Sequence, residues 1–165
     1  MAFDEDVPLA ANQIAVDIVA MNANWEYVIS GDGTAGRVLR DSYLKVEDGT
    51  NANTLKCTLV SRWNGDAIAE TDNIAKGATT GNFTLHASGY QLTIEAAGLS
   101  GNAVAVLSCS PHANTSTVVL DPDGTVTSND IIITFYGATD GSLLDATVLV
   151  DTGSFRIRLT YLTDA

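Results

Sequence analysis

"SFRIRLTYL", Ser154 to Leu162, sets Phe155, Ile157, Leu159 and Tyr161 on one side of an extended chain and Arg156, Arg158 and Thr160 on the other. Successive side chains of a strand point to opposite faces, so a period of two describes a strand with one face in a core and one in water. The same texture runs back to residue 37. "RVLRDSYLKVE", "TLKCTLVS", "NFTLHA", "YQLTIEA", "AVAVLSCS", "STVVL", "DIIITFYG" and "ATVLVDT" are short runs rich in Val, Ile, Thr, Tyr and Phe. Turn pairs punctuate them at Asp48-Gly49, Asn64-Gly65, Ser88-Gly89, Asp123-Gly124, Asp140-Gly141 and Thr152-Gly153. About nine strands joined by hairpin-sized turns, with no helical pattern between them, predict a mainly β fold. The expectation is an antiparallel β-sandwich or jelly-roll-like domain over residues 31–165.

Ahead of that domain the period changes. In "FDEDVPLAANQIAVDIVAMNANWEYVI", Ile14, Ile18, Met21, Trp25 and Val28 recur at spacings of four and three and gather on one helical face. A helix from about Ala10 to Val28 follows, with Asp4, Glu5, Asp6 and Pro8 suited to its N-terminal end. Residues 1–30 thus read as an N-terminal arm and helix for anchoring or oligomerisation. The stripe docks on its own domain or forms a seam between identical chains; its extent, short of the roughly three heptads of a coiled coil, favours docking.

A chain of 165 residues fits one domain, and 45% hydrophobic with 17% charged residues is the composition of a folded protein. The net charge is −12, and residues 1–36 and 77–155 contain no Lys or Arg. Nucleic-acid binding rests on cations that neutralise phosphates, so this balance argues against a nucleic-acid partner, and equally against anionic membrane surfaces. No run approaches the ~20 apolar residues of a membrane span, and no secretory leader pattern opens the chain. Cys57 and Cys109 stand in strand-like runs and read as buried free thiols.

Few residues suggest chemistry. Gly31, Gly33 and Gly36 in "SGDGTAGRV" have dinucleotide-fingerprint spacing, but that motif needs a strand before it, a helix after it and βαβ alternation beyond. Asp32 would also face the phosphates, so the loop reads as a passage into the first strand. Asp121, Asp123 and Asp130 offer calcium-type oxygens without EF-hand spacing, and a Pro-Asp-Gly turn explains them. Cys109 and His112 in "CSPH" lack a second metal-ligating pair. His86 and His112 are the two histidines, and no GxSxG elbow accompanies them. Trp63, Tyr90, Tyr136 and Tyr161 would make a sugar-stacking platform if they converged, and packing explains them as well. No catalytic group, cofactor or metal is expected.

Several stretches together resemble a known class. "ANQIAVDIVAMNANWEYV" is similar to the short N-terminal helix of many small tailed-phage virion proteins. The body, with "GTAGRVLRDSYLKVEDGTNANTLKCTLVSRWNGDAIAETDNIAKGATTGNFTL", "LTIEAAGLSGNAVAV", "SNDIIITFYGATDGSLLDATVLVDTG" and "YLTDA", resembles virion components of environmental bacteriophages. The resemblance implies a non-enzymatic virion protein of the capsid decoration (cement) type, assembled in the host cytoplasm. It also implies a homo-oligomer, with a trimer favoured, seated on the major capsid protein or other virion proteins. No functional residues carry over from it; Ile14, Ile18, Met21, Trp25 and Val28 are the assembly residues the pattern itself offers. The alternative is a tail-fibre or receptor-binding module that holds carbohydrate, against which stands a chain that starts at Met with no fibrous shaft or repeat.

Overall fold

The computed structural model describes residues 37–99, 101–114, 120–151 and 153–164. The expected N-terminal helix with Ile14, Ile18, Met21, Trp25 and Val28 lies outside the described residues, as does the loop of Gly31, Gly33 and Gly36. Within the described residues ten strands succeed one another: β1 (Arg37–Asp48), β2 (Thr54–Ser61), β3 (Ala67–Ala75), β4 (Ala78–Thr80), β5 (Phe83–Leu85), β6 (Gln91–Ile94), β7 (Ala103–Asn114), β8 (Leu120–Thr127), β9 (Asp130–Gly137) and β10 (Phe155–Asp164). One short α-helix, α1 (Ala146–Asp151), precedes β10.

The strands form two five-stranded antiparallel sheets, ordered β3-β2-β1-β10-β7 and β4-β5-β6-β9-β8. The sheets are not closed into a barrel, since among the described residues no strand of one pairs with a strand of the other. The jelly-roll expectation is corrected by this order. Connections of five residues or fewer join β1 to β2, β2 to β3, β4 to β5 and β5 to β6. Each trio therefore stays in one sheet as a meander, and the two-residue link Lys76-Gly77 carries the chain from β3 at the edge of the first sheet to β4 at the edge of the second.

The placement of the helix is corrected too. The helix among the described residues is α1, and it covers Ala146–Asp151 of "ATVLVDT", a run that the β-branched composition marks as a strand. Asp145 decides the matter: its Oδ1 accepts the Thr147 N–H at 3.0 Å and the Thr147 hydroxyl at 2.8 Å, which satisfies a first-turn donor as an N-cap does. α1 then buries Ala146, Thr147, Leu149 and Val150. The Asp145 carboxylate also pairs with Lys76 and packs over Gly89, whose φ of +76° and lack of a Cβ leave room for it. "LDPDGTVT", expected as a turn and polar loop, is β8, and the chain reverses instead at Ser128-Asn129, both with positive φ.

The predicted inward face of "SFRIRLTYL" is the middle of the core. Phe155, Ile157, Leu159 and Tyr161 are buried with Leu44, Val46, Leu55 and Leu59 from the same sheet. From the other sheet Phe83, Leu85, Leu92, Ile94, Ile131, Ile133 and Phe135 complete one continuous cluster. Phe135 of β9 meets Phe155 of β10 edge to face, centroids 5.6 Å apart, and so joins the two layers.

Both thiols are free. Cys57 is fully buried, and burial pushes its thiol far above the ordinary range. Cys109 is pushed up to about 12, by burial first and then by the Asp123 and Asp121 carboxylates. Since the thiolate is the reactive form, a thiol reagent should label Cys109 slowly in the native protein and Cys57 only at the rate of global unfolding. Rapid labelling of Cys57 without denaturant would contradict the placement of β2 in the core.

Candidate functional site

The first sheet carries an irregularity at its centre. β2 ends at Ser61, opposite Ser42, while β1 extends on to Arg37 beside β10 alone. The connection from β2 to β3 folds back over this step. Arg62 N–H donates to the Asp41 carbonyl at 3.0 Å, Gly65 N–H to the Ser61 carbonyl at 2.9 Å, and Ser61 N–H to the Asp66 carbonyl at 2.9 Å. A groove of about 250 Å³ results, lined by Leu39, Asp41, Ser42, Trp63, Ile68 and Leu99 among others. Trp63 stands at its rim with 81% of its surface exposed, and Leu39 is exposed beside it. In its lining the Ser42 hydroxyl is buried next to the Tyr161 phenol; burial pushes that phenol up and Ser42 opposes, without the two reaching hydrogen-bond geometry.

Asp41 anchors the site. Its carboxylate, 8% exposed, accepts Arg62 Nη1 at 2.7 Å, Arg158 Nη2 at 3.1 Å and Arg158 Nε at 3.3 Å. Burial alone would raise this carboxyl, but hydrogen bonds from Arg158 and Arg62, reinforced by their charges, hold it below its ordinary value. The pair fixes the Trp63 hairpin to β1 and β10 at once.

Around Asp41 the outer face of the first sheet gathers the scarce cations. Of eight Lys and Arg in the chain, Arg37, Lys45, Lys56, Arg62, Arg156 and Arg158 belong to this face or to the β2–β3 connection over it, while Arg40 lies on the other side of β1, opposite Tyr161, and donates to Thr163 Oγ1. Tyr43 of β1 stacks on His112 of β7, with ring centroids 4.4 Å apart, across the line of β10. Lys45–Glu47 at 2.7 Å and Lys56–Glu70 at 3.3 Å are exposed pairs that add little stability. The outer face of the second sheet has the opposite character. Asp121, Asp123, Thr125, Ile132, Thr134, Thr93 and Thr84 share it, and its strands contain no Lys or Arg.

The structure does not bring the expected sugar platform together. Tyr161 is in the core, Tyr90 and Tyr136 are half-buried in or beside the second sheet, and Trp63 alone faces the groove. Asp121 and Asp123 lie along β8, whereas Asp130 starts β9 and accepts the Ala96 N–H at 2.9 Å. Among the described residues no three His, Cys, Asp or Glu gather as metal ligands. Cys109 packs against the core while His112 stacks outside, and His86 meets Ser88 within its own turn, Nδ1 to Oγ 2.8 Å. No helix among the described residues is long and apolar enough to cross a membrane. The Asp41 cluster escaped sequence reading because Asp41 and Arg158 are 117 residues apart. Its one signal was the pair Arg156 and Arg158 on the polar face of an otherwise acidic, Thr-rich body. Comparison with known proteins finds no matching family model, no matching curated protein and no matching solved structure.

Proposed function

We propose that this protein is a non-enzymatic structural component of a bacteriophage virion, of the capsid decoration (cement) type, that works by docking. The supporting observation is the asymmetry of its two outer faces. One presents six of the eight cations together with exposed Trp63 and Leu39; the other presents carboxylates and threonines to water. A Trp and Arg surface is the composition that anchors protein interfaces, and the resemblance of the sequence to virion proteins supplies the setting. On this reading the partner is the major capsid protein or another virion protein, and a homotrimer sums modest contacts through effective concentration. The arm with Ile14, Ile18, Met21, Trp25 and Val28 supplies assembly contacts.

Cosedimentation of the full-length protein with heads of its own phage lacking it tests the proposal. The wild type should bind, and Trp63→Ala with Arg156→Glu should weaken binding roughly tenfold or more. A wild-type protein that stays in the supernatant would remove the decoration reading. Trp63 favours the receptor-binding alternative as well, since an exposed indole beside Asn64 and Asp66 is a surface on which a sugar ring stacks. Glycan-array binding that disappears in Trp63→Ala, without head binding, would select that alternative.

A further inference from the structure

Asn64-Gly65 is the one Asn-Gly pair in the chain, and it lies in the β2–β3 connection directly after Trp63. Both residues are exposed. Gly65 holds a φ of +75°, and a Cβ there would meet nothing within 4 Å, so nothing crowds the approach of its nitrogen to the preceding side chain. Asn64 is held at both ends of its amide. Its Oδ1 accepts the Asp66 N–H at 3.2 Å, and its Nδ2 donates to Asp66 Oδ2 at 2.5 Å. An N–H on the amide oxygen polarises the Cγ carbonyl and stabilises negative charge that develops there. A carboxylate on the amide nitrogen is placed to relay a proton to it as it leaves. Asn73 gives the contrast: its Oδ1 also accepts a backbone N–H, from Asn51 at 2.7 Å, but β-branched Ile74 follows it inside β3.

We propose that Asn64 is a self-modification site, at which the Gly65 nitrogen converts the side-chain amide to aspartate and isoaspartate. Gly65 N bonds to Asn64 Cγ and gives up its proton. The Cγ–Nδ2 bond breaks, and ammonia departs with that proton, relayed through Asp66, leaving a cyclic imide. Water then opens the imide at either carbonyl, and no oxidant or reductant is needed. The Gly65 N–H donates to the Ser61 carbonyl at 2.9 Å, so each attack waits for that bond to open, a local fluctuation of an exposed turn that leaves the sheet intact. The product cannot restore the turn. A carboxylate at position 64 repels Asp66 where the amide donated to it, and isoaspartate adds a methylene to the main chain inside the loop that the Gly65-to-Ser61 and Ser61-to-Asp66 bonds close. Trp63 is thereby loosened from the hairpin that Asp41 anchors. On the proposal that the protein docks through Trp63, conversion limits the life of the attachment; that consequence rests on the docking reading, and the chemistry at Asn64 does not.

Peptide mapping by mass spectrometry tests the site without reference to the particle, on the full-length protein kept folded in mildly alkaline buffer made with heavy-oxygen water. Asn64 should take up heavy oxygen and yield both aspartate and isoaspartate, ahead of Asn51, Asn73 and Asn82. Asp66→Asn keeps an acceptor for the Asn64 amide but loses the proton relay. It should slow conversion in the folded protein at least about tenfold and leave the rate in urea unchanged. Gly65→Ala, which crowds the attacking nitrogen, should slow conversion in both conditions. An Asn64 that stays intact in the folded protein while it converts in urea would overturn the proposal, and so would a folded-state rate indifferent to Asp66→Asn. Cosedimentation with heads separates the two readings: fresh protein should pellet and converted protein should stay in the supernatant. Fresh protein that never pellets refutes decoration and leaves conversion at Asn64 standing.

Discussion

Phe135→Ala should lower the unfolding free energy by about 3–5 kcal/mol, the range for truncating a buried Phe. Phe135 is fully buried on β9 and meets Phe155 of β10 edge to face. Removing the ring takes away apolar burial and leaves a cavity between two hydrogen-bonded sheets, whose backbones cannot close in to fill it. Total stabilities of domains lie near 5–15 kcal/mol, so the loss would be a large share of the whole. Urea denaturation reads it as a lower midpoint at unchanged slope. Thr125→Ala, on the exposed face of β8, should move the midpoint by no more than about 0.5 kcal/mol equivalent. Equal effects from the two substitutions would refute the core assignment.

Asp41→Asn should cost about 2 kcal/mol, because it leaves Arg62 and Arg158 facing each other across a neutral amide. The figure lies below that for a fully buried pair because both arginine side chains are about two-fifths exposed, 44% and 41%, and water screens them. The pH dependence has a definite sign. The folded-state carboxyl is depressed below its ordinary 3.8, so its contribution is fully present above that value and is lost as pH falls through the lower folded-state value. The stability gap between wild type and Asp41→Asn should be constant above about pH 5 and shrink below about pH 4. A gap that widens on acidification would show that Asp41 is not held ionised by the two arginines.

Much of this architecture can be read from alternation alone. "TLKCTLVS" and "DIIITFYG" coincide with β2 and β9, and the inward residues of "SFRIRLTYL" are core residues throughout. β3 was silent because "AIAETDNIA" is poor in β-branched and aromatic residues and its pairing with β2 is broken by register shifts. β8 was hidden by Pro122 and Gly124, which read as a turn but are tolerated in the strand at the edge of its sheet. α1 had a legible signal in Asp145, three β-branched residues notwithstanding, since an Asp before a short apolar run is a helix start. Trp63 was visible as a stacking candidate, but its groove depends on where β2 stops relative to β1, a difference between two strand lengths that no local pattern encodes.

The pairing of β1 with β10 also dictates when the chain can fold. Arg37 finds its partner in Asp164, so the central ladder of the first sheet closes a loop of more than a hundred residues. That entropy must be overcome before the contact rewards it. On the ribosome β1 would wait with one side unmatched until β10 emerges, and the centre of the first sheet cannot close before then. Folding in milliseconds to seconds, the pace of proteins dominated by distant pairings, is the consequence.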